Sequence, residues 1–227
     1  MEFDFLELTQ ALECSFSERV ALRPVALCDA WPLWTATRNP QFNRHLLWAQ
    51  PDNEEQVLKR VRMIMEASRR GRLTALSAVQ RRTGEFIALF RFQPHATLDD
   101  AIEMGIWVHD KYWHGRYSLE LGRLCVSAAF SLSERLQLLL GASAPENRGS
   151  CHLMQAVGMT PGRLVERDTE MGYRAMLCEY TIARAQWAAR HVSAFSVVGD
   201  DRIVATAPPA VKAVARVSTP VEALAMQ

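Results

Sequence analysis

Glu103-Met104-Gly105-Ile106-Trp107-Val108-His109 and the nearby Tyr112-Trp113-His114-Gly115-Arg116-Tyr117-Ser118-Leu119-Glu120 decide how this chain folds. The first stretch has the alternation of a strand: Ile102, Met104, Ile106 and Val108 form an apolar row, and Glu103, Gly105 and Trp107 take the other face. The second opens a helix at Ser118, with Leu121, Leu124, Cys125, Ala128 and Leu132 on one stripe. A strand that passes through a glycine-bearing turn into a helix is a natural seat for an anion. Unpaired backbone N–H groups and the helix dipole both favour negative charge there, and glycine permits close approach. An ordinary strand-to-helix connection has the same outline, so the flanking segments must carry the argument further.

Upstream, Arg19–Pro24 alternates and stops at proline, which reads as a strand. Asp29 is placed to cap a helix from Ala30 to about Arg38. Residues 39–52 form a loop containing Phe42, Leu46, Leu47 and Trp48. Glu54–Arg70 is a helix with Val57, Val61, Ile64, Met65 and Ser68 on one face, ended by Gly71. Leu73–Gln80 and Phe86–Phe92 flank Arg82-Thr83-Gly84-Glu85, a hairpin signal. Downstream, the unbroken apolar run Leu136–Ala142 suits a strand covered on both faces. Asn147-Arg148-Gly149-Ser150 leads into a short helix, Ser150–Val157, stopped by Gly158. Met159–Val165 and Arg174–Ile182 are two final strands. The order β-α-α-β-β-β-α-β-α-β-β predicts an α/β fold: a mixed sheet with helices on both faces. Residues 1–16 read as a leader with part of a helix, 17–184 as the folded domain, and 185–227 as a weakly ordered extension rich in Ala, Val, Pro and Ser.

Composition narrows the function. A chain of 227 residues with 49% hydrophobic and 22% charged residues has enough apolar material for one core. Its net charge of +1 argues against nucleic acid or an acidic membrane surface. The basic stretch of Lys59, Arg60, Arg62, Arg69, Arg70 and Arg72 is interspersed with Glu54, Glu55 and Glu66, as on a solvated helix face. No apolar run approaches a membrane span, and the acidic start Met1-Glu2-Phe3-Asp4-Phe5 lacks a secretory pattern, so the expected location is cytoplasmic. The five cysteines, Cys14, Cys28, Cys125, Cys151 and Cys178, are too scattered for a disulfide framework or a zinc site. The six histidines show no metal-ligand spacing, and no metal is expected.

The strand, the turn at Trp113–Ser118, the Asn147–Ser150 segment and Gly158, in this order, resemble the GNAT acyl-CoA-dependent N-acetyltransferases, most closely their RimJ/RimL-like branch. The resemblance spans roughly residues 17–184. It implies a mostly antiparallel central sheet, acetyl-CoA as co-substrate, and direct transfer of an acetyl group to a primary amine. It also implies roles for particular residues. The pyrophosphate would sit on Trp113, His114, Gly115, Arg116, Tyr117 and Ser118. The pantetheine arm would lie beside Ile106, Trp107 and Val108 as a pseudo-strand, with Asn147 bonding the arm. Ser150 would protonate the departing thiolate, although serine there equally suits a helix cap. Two departures stand out: Arg116 holds the place of a usual glycine, and Met154 that of a usual tyrosine acid. They motivate the alternative of a catalytically degenerate GNAT-fold binding or regulatory module.

An attacking amine must lose a proton, and a carboxylate can take it. Glu103, opposite the apolar row, is the expected base; a salt-bridged strand residue would look the same. His109 is a second candidate, and Glu120 better suits the helix dipole. The loop from Phe42 to Trp48 lies where the family shapes its acceptor pocket. The acceptor, whether a protein N-terminus, a lysine or a small amine, has no readable code here, and a homodimer stays open.

Overall fold

The computed structural model describes residues 3–13, 15–95, 98–114 and 117–193. Seven strands form one sheet: β1 (Val20–Pro24), β2 (Thr74–Gln80), β3 (Phe86–Pro94), β4 (Ala101–Val108), β5 (Leu138–Ser143), β6 (Thr160–Asp168) and β7 (Arg174–Ala183). Their spatial order is β1-β2-β3-β4-β5-β7-β6. Every neighbouring pair is antiparallel except β4 and β5, which run parallel. The sheet is therefore mixed and mostly antiparallel, as expected. Gly84, at φ 72°, takes the left-handed position that closes the β2–β3 hairpin.

Seven helices accompany the sheet among the described residues: α1 (Phe5–Leu12), α2 (Ala30–Ala36), α3 (Pro40–Asn43), α4 (Glu54–Arg69), α5 (Tyr117–Leu132), α6 (Arg148–Ala156) and α7 (Arg184–Ser193). They divide between the two faces. The larger core joins Phe90, Phe92, Ile102, Leu139 and Ile182 of the sheet to α1 and α5, through Leu12, Leu121, Cys125 and Phe130. On the opposite face, Ala75 and Leu89 pack against α2 and α4, through Ala30, Leu33, Val57 and Val61. The alternation of each central strand feeds both cores at once.

Several local details differ from the sequence reading. Residues 5–12 form a complete helix whose Phe5, Leu8 and Leu12 are buried in the larger core. Asp4 caps it by accepting from the Leu6 and Glu7 N–H groups at 3.0 and 2.9 Å. The Thr74 hydroxyl donates to the Phe5 carbonyl at 3.0 Å and ties this helix to β2. Asp29 does not cap α2 with its side chain. Its buried carboxylate instead accepts from Arg23, the Ala26 N–H and the Ser77 hydroxyl, pinning β1 to β2. On α4, Glu66 pairs with Arg69 and Arg70, as a solvated face would. At the far end, Trp187 of α7 stacks on Phe130 with ring centroids 5.4 Å apart. The extension from residue 194 onward lies outside the described residues.

Candidate active site

The parallel pairing of β4 with β5 is short. It joins Ala101 to Leu138, Ile102 to Leu139 and Glu103 to Leu140, and there it stops. β4 stays in register with β3 as far as Val108, while β5 stays in register with β7 as far as Ser143. The two central strands thus part beyond Glu103. The hydrogen-bond pattern shows which groups border the gap. The His109 N–H donates to the Ile87 carbonyl at 2.9 Å. By the alternation of an antiparallel ladder, residues 101, 103, 105 and 107 therefore turn their N–H and C=O groups to β3. Ile102, Met104, Ile106 and Val108 turn theirs to β5. At Ile102 those groups meet the β5 ladder. At Ile106 there is no ladder to meet. The Val108 carbonyl accepts the Trp113 indole N–H at 2.9 Å, which leaves the Val108 N–H beside the gap.

A cavity of about 440 Å³ opens at this point. It brings together parts of the chain distant in sequence. Among them, β4 supplies residues 103–107, the start of α6 supplies Asn147 and Ser150, the loop after α3 supplies residues 45–48, and the β6 end supplies Arg167 and Asp168. Of the expected site residues, Glu103, Ile106, Trp107, Asn147 and Ser150 line it. Val108, Trp113, His114, Tyr117 and Ser118 stand outside the cavity wall, further along β4 and at the start of α5. Gly115 and Arg116, on which the phosphate-turn expectation rests, lie outside the described residues.

Asn147 has a defined local role. Its side-chain oxygen accepts the Ser150 N–H at 3.2 Å, so Asn147 is the N-cap of α6, which starts at Arg148. The cap reading of Ser150 is thereby corrected: it sits in the first turn of the helix, and its hydroxyl is not part of the cap. Met154, one turn further on, lies in the cavity wall with its sulfur packed over Gly141, where an added Cβ would stand only 2.9 Å away. That contact lets β5 and α6 approach closely without filling the gap between the strands.

Charge is matched over most of the cavity. Arg167 reaches Oε2 of Glu103 at 3.2 Å and Oε1 of Glu179 at 3.6 Å. Arg60 grips Glu170 through two nitrogens, at 2.6 and 2.9 Å, and its guanidinium lies 4.3 Å from the Trp48 ring centroid. Glu103 is thus both a cavity residue and an ion-paired one. His109 is engaged elsewhere: its ring caps a 3-10 turn by accepting from the Lys111 N–H, and it lies against Asp110. Glu120 accepts from the Ser17 hydroxyl at 2.6 Å and from the Arg19 backbone and side chain at 2.7 Å. It clamps α5 to the segment before β1 rather than serving the cavity.

Sequence reasoning did not single out Arg91, Arg167 or Gln93, all of which line the cavity. Arg91 and Gln93 alternate outward along β3 opposite Gly105 and Glu103. A polar residue on the inner strand of a sheet was the signal available for them.

Comparison with known proteins agrees with this architecture. The family model for the GNAT acetyltransferase domain matches residues 19–160, more than half of the chain. No curated protein matches. Among solved structures, the chain resembles a GNAT-family acetyltransferase from Bacillus anthracis at 16% identity and a TM-score of 0.64, covering 75% of this chain and 98% of that one. It is similar to RimJ of Mycobacterium smegmatis, determined with CoA-disulfide, at 19% identity and a TM-score of 0.63, over 77% and 88% of the two chains. It also resembles RimL, a ribosomal L7/L12 alpha-N-protein acetyltransferase determined with coenzyme A, at 14% identity and a TM-score of 0.62, over 75% and 97%. At these identities the structures show the shared fold. Together with the parted strands, the family match settles membership: this chain belongs to the GNAT family of acetyltransferases.

Proposed function

We propose that the gap between β4 and β5 seats the acyl-CoA arm, and that Ser150 and Glu103 serve acetyl transfer to an amine across the cavity. Family membership makes the chain an acetyl-CoA-dependent N-acetyltransferase. The observation that carries the site assignment is the early end of the β4–β5 ladder at Glu103, in the wall of the cavity that Ser150 also lines. The Ile106 N–H and C=O and the Val108 N–H offer an extended arm the hydrogen bonds that a neighbouring strand would make. Acetyl-CoA supplies an activated acetyl group as its thioester. The chain's part is to hold the arm, to place an amine and to move two protons.

N–H groups on this edge lie where the thioester carbonyl would build negative charge, and they stabilise it without reorganising. Ser150 gives a proton to the departing thiolate. Glu103, directly or through a water, takes one from the amine, while Arg167 holds its second oxygen and fixes its orientation. Trp113 and His114 precede α5, and Tyr117 and Ser118 open it, where the pyrophosphate would meet the helix dipole. The acceptor is a primary amine on a protein N-terminus, a lysine or a small molecule. RimL's action on a ribosomal protein makes a protein α-amino group one concrete choice. Met154 gives the binding-module reading no support, because it walls an open cavity instead of closing it.

The test is calorimetric titration with acetyl-CoA, followed by CoA release across a panel of amines. Micromolar binding with turnover is expected. Glu103→Gln should lower kcat while acetyl-CoA binding holds. Binding without turnover of any amine would overturn the catalytic assignment.

A further inference from the structure

We infer that the amine acceptor also carries a carboxylate, and that Arg91 and Trp48 recognise it; this deepens the acetyl-transfer reading and rests on it. Arg60, Arg91 and Arg167 are the arginines lining the cavity. Arg60 is paired with Glu170, and Arg167 with Glu103. Arg91 forms no ion pair among the described residues. Glu103 favours its charge electrostatically, yet that carboxylate is already bonded to Arg167. Burial pulls the Arg91 pKa below its ordinary value, with Glu103 opposing that pull, as befits a desolvated cation short of a partner.

Arg91 also has a built place. It stands opposite Gly105 in the β3–β4 register. A Cβ at Gly105 would come within 3.4 Å of the Arg91 Nε, so the missing side chain lets the arginine lie flat across β4. Its guanidinium is 5.5 Å from the centroid of the Trp107 ring. Trp48 provides an independent observation. It is only 7% exposed, lines the same cavity and stacks on Trp107 with centroids 5.4 Å apart. Its indole N–H is buried without a hydrogen-bond partner. A guanidinium and an indole N–H offer donors only, and the group that fits them only accepts. A carboxylate does so with bidentate geometry and a single negative charge, which one arginine balances; a phosphate dianion would bury a second charge unpaired.

The test uses the full-length protein and matched pairs: β-alanine, 4-aminobutyrate, 6-aminohexanoate and glycylglycine, each against its carboxamide. Binding is measured by calorimetry with CoA present and absent, and turnover by CoA release. At least one acid should bind about tenfold more tightly than its amide. Arg91→Met should abolish that preference while acetyl-CoA affinity holds, and Arg91→Lys should retain part of it. Thermal unfolding confirms that both variants fold. If no acid exceeds its amide, or if the preference survives in Arg91→Met, the inference is overturned. Acid preference without turnover would sink only the transfer reading, because the binding arm needs no chemistry.

Discussion

The two halves of β4 share one strand and one alternation but not one environment. From Ala101 to Glu103 the backbone is bonded on both sides, to β3 and to β5. From Gly105 to Val108 it is in register with β3 alone. The side chains do not make this difference, since the apolar row Ile102, Met104, Ile106 and Val108 packs toward the larger core along its whole length. What changes is the course of β5, which leaves with β7 as a partner. The lesson is that a binding edge can be made inside a sheet by ending a ladder early, at no cost to the core.

Proline substitution at equivalent positions in the two halves breaks this comparison most sharply, because it deletes one N–H and little else from the ladder. Ile102→Pro removes a bond to β5 in the middle of the sheet and should cost about 1–3 kcal/mol in denaturant unfolding through the partner left unpaired, besides the loss of a fully buried side chain. Ile106→Pro removes an N–H that the ladder does not use. It should fold, lose less stability than Ile102→Pro, and bind acetyl-CoA at least about tenfold more weakly. Equal effects at the two positions would mean that the halves are not distinct.

The α6 start allows a finer cut between structure and chemistry. Ser150→Ala should lower kcat about 10²-fold with acetyl-CoA affinity retained, the range expected for losing a proton donor. Asn147→Ala should cost about 1 kcal/mol of stability through its lost cap. A Ser150→Ala variant with full turnover would remove serine from the mechanism.

The smallest expected effect lies away from the cavity. Burial raises the Glu120 pKa, but hydrogen bonds from Ser17 and Arg19 outweigh it, and the net shift is downward. Its contribution is therefore fully present above the ordinary carboxylate value of about 4.3, and it is lost as pH falls through the lowered folded value. Unfolding followed from pH 7 to 3 should show Glu120→Gln with a flatter acid limb than the parent. Identical limbs would mean that the clamp does not survive in solution.

Much of this was legible in the sequence because it depends on short-range patterns. The alternation of residues 101–108 identified β4, and the stripe of Leu121, Leu124, Cys125 and Ala128 identified α5. Asn147 and Ser150 could be placed near one another by adjacency alone. The cap assignment could not be resolved, since asparagine and serine cap equally well and only the hydrogen bond decides. Residues 1–16 read only as a leader with part of a helix because eight helical residues carry little periodic signal, while the burial of Phe5, Leu8 and Leu12 depends on β2 and α5. Arg91 stayed hidden for a related reason. Its lack of a partner is set by Arg60–Glu170 and Arg167–Glu103, pairs joined over 110 and 64 residues of sequence. No local window contains that balance.

The most direct measurement of the central claim is amide hydrogen exchange, resolved by residue, with and without acetyl-CoA. The account predicts that the Ile106 and Val108 amides gain at least about tenfold protection on binding, while the Ile102 amide, already in the ladder, does not change. Binding of acetyl-CoA with no added protection at Ile106 or Val108 would contradict it and would place the acyl arm elsewhere.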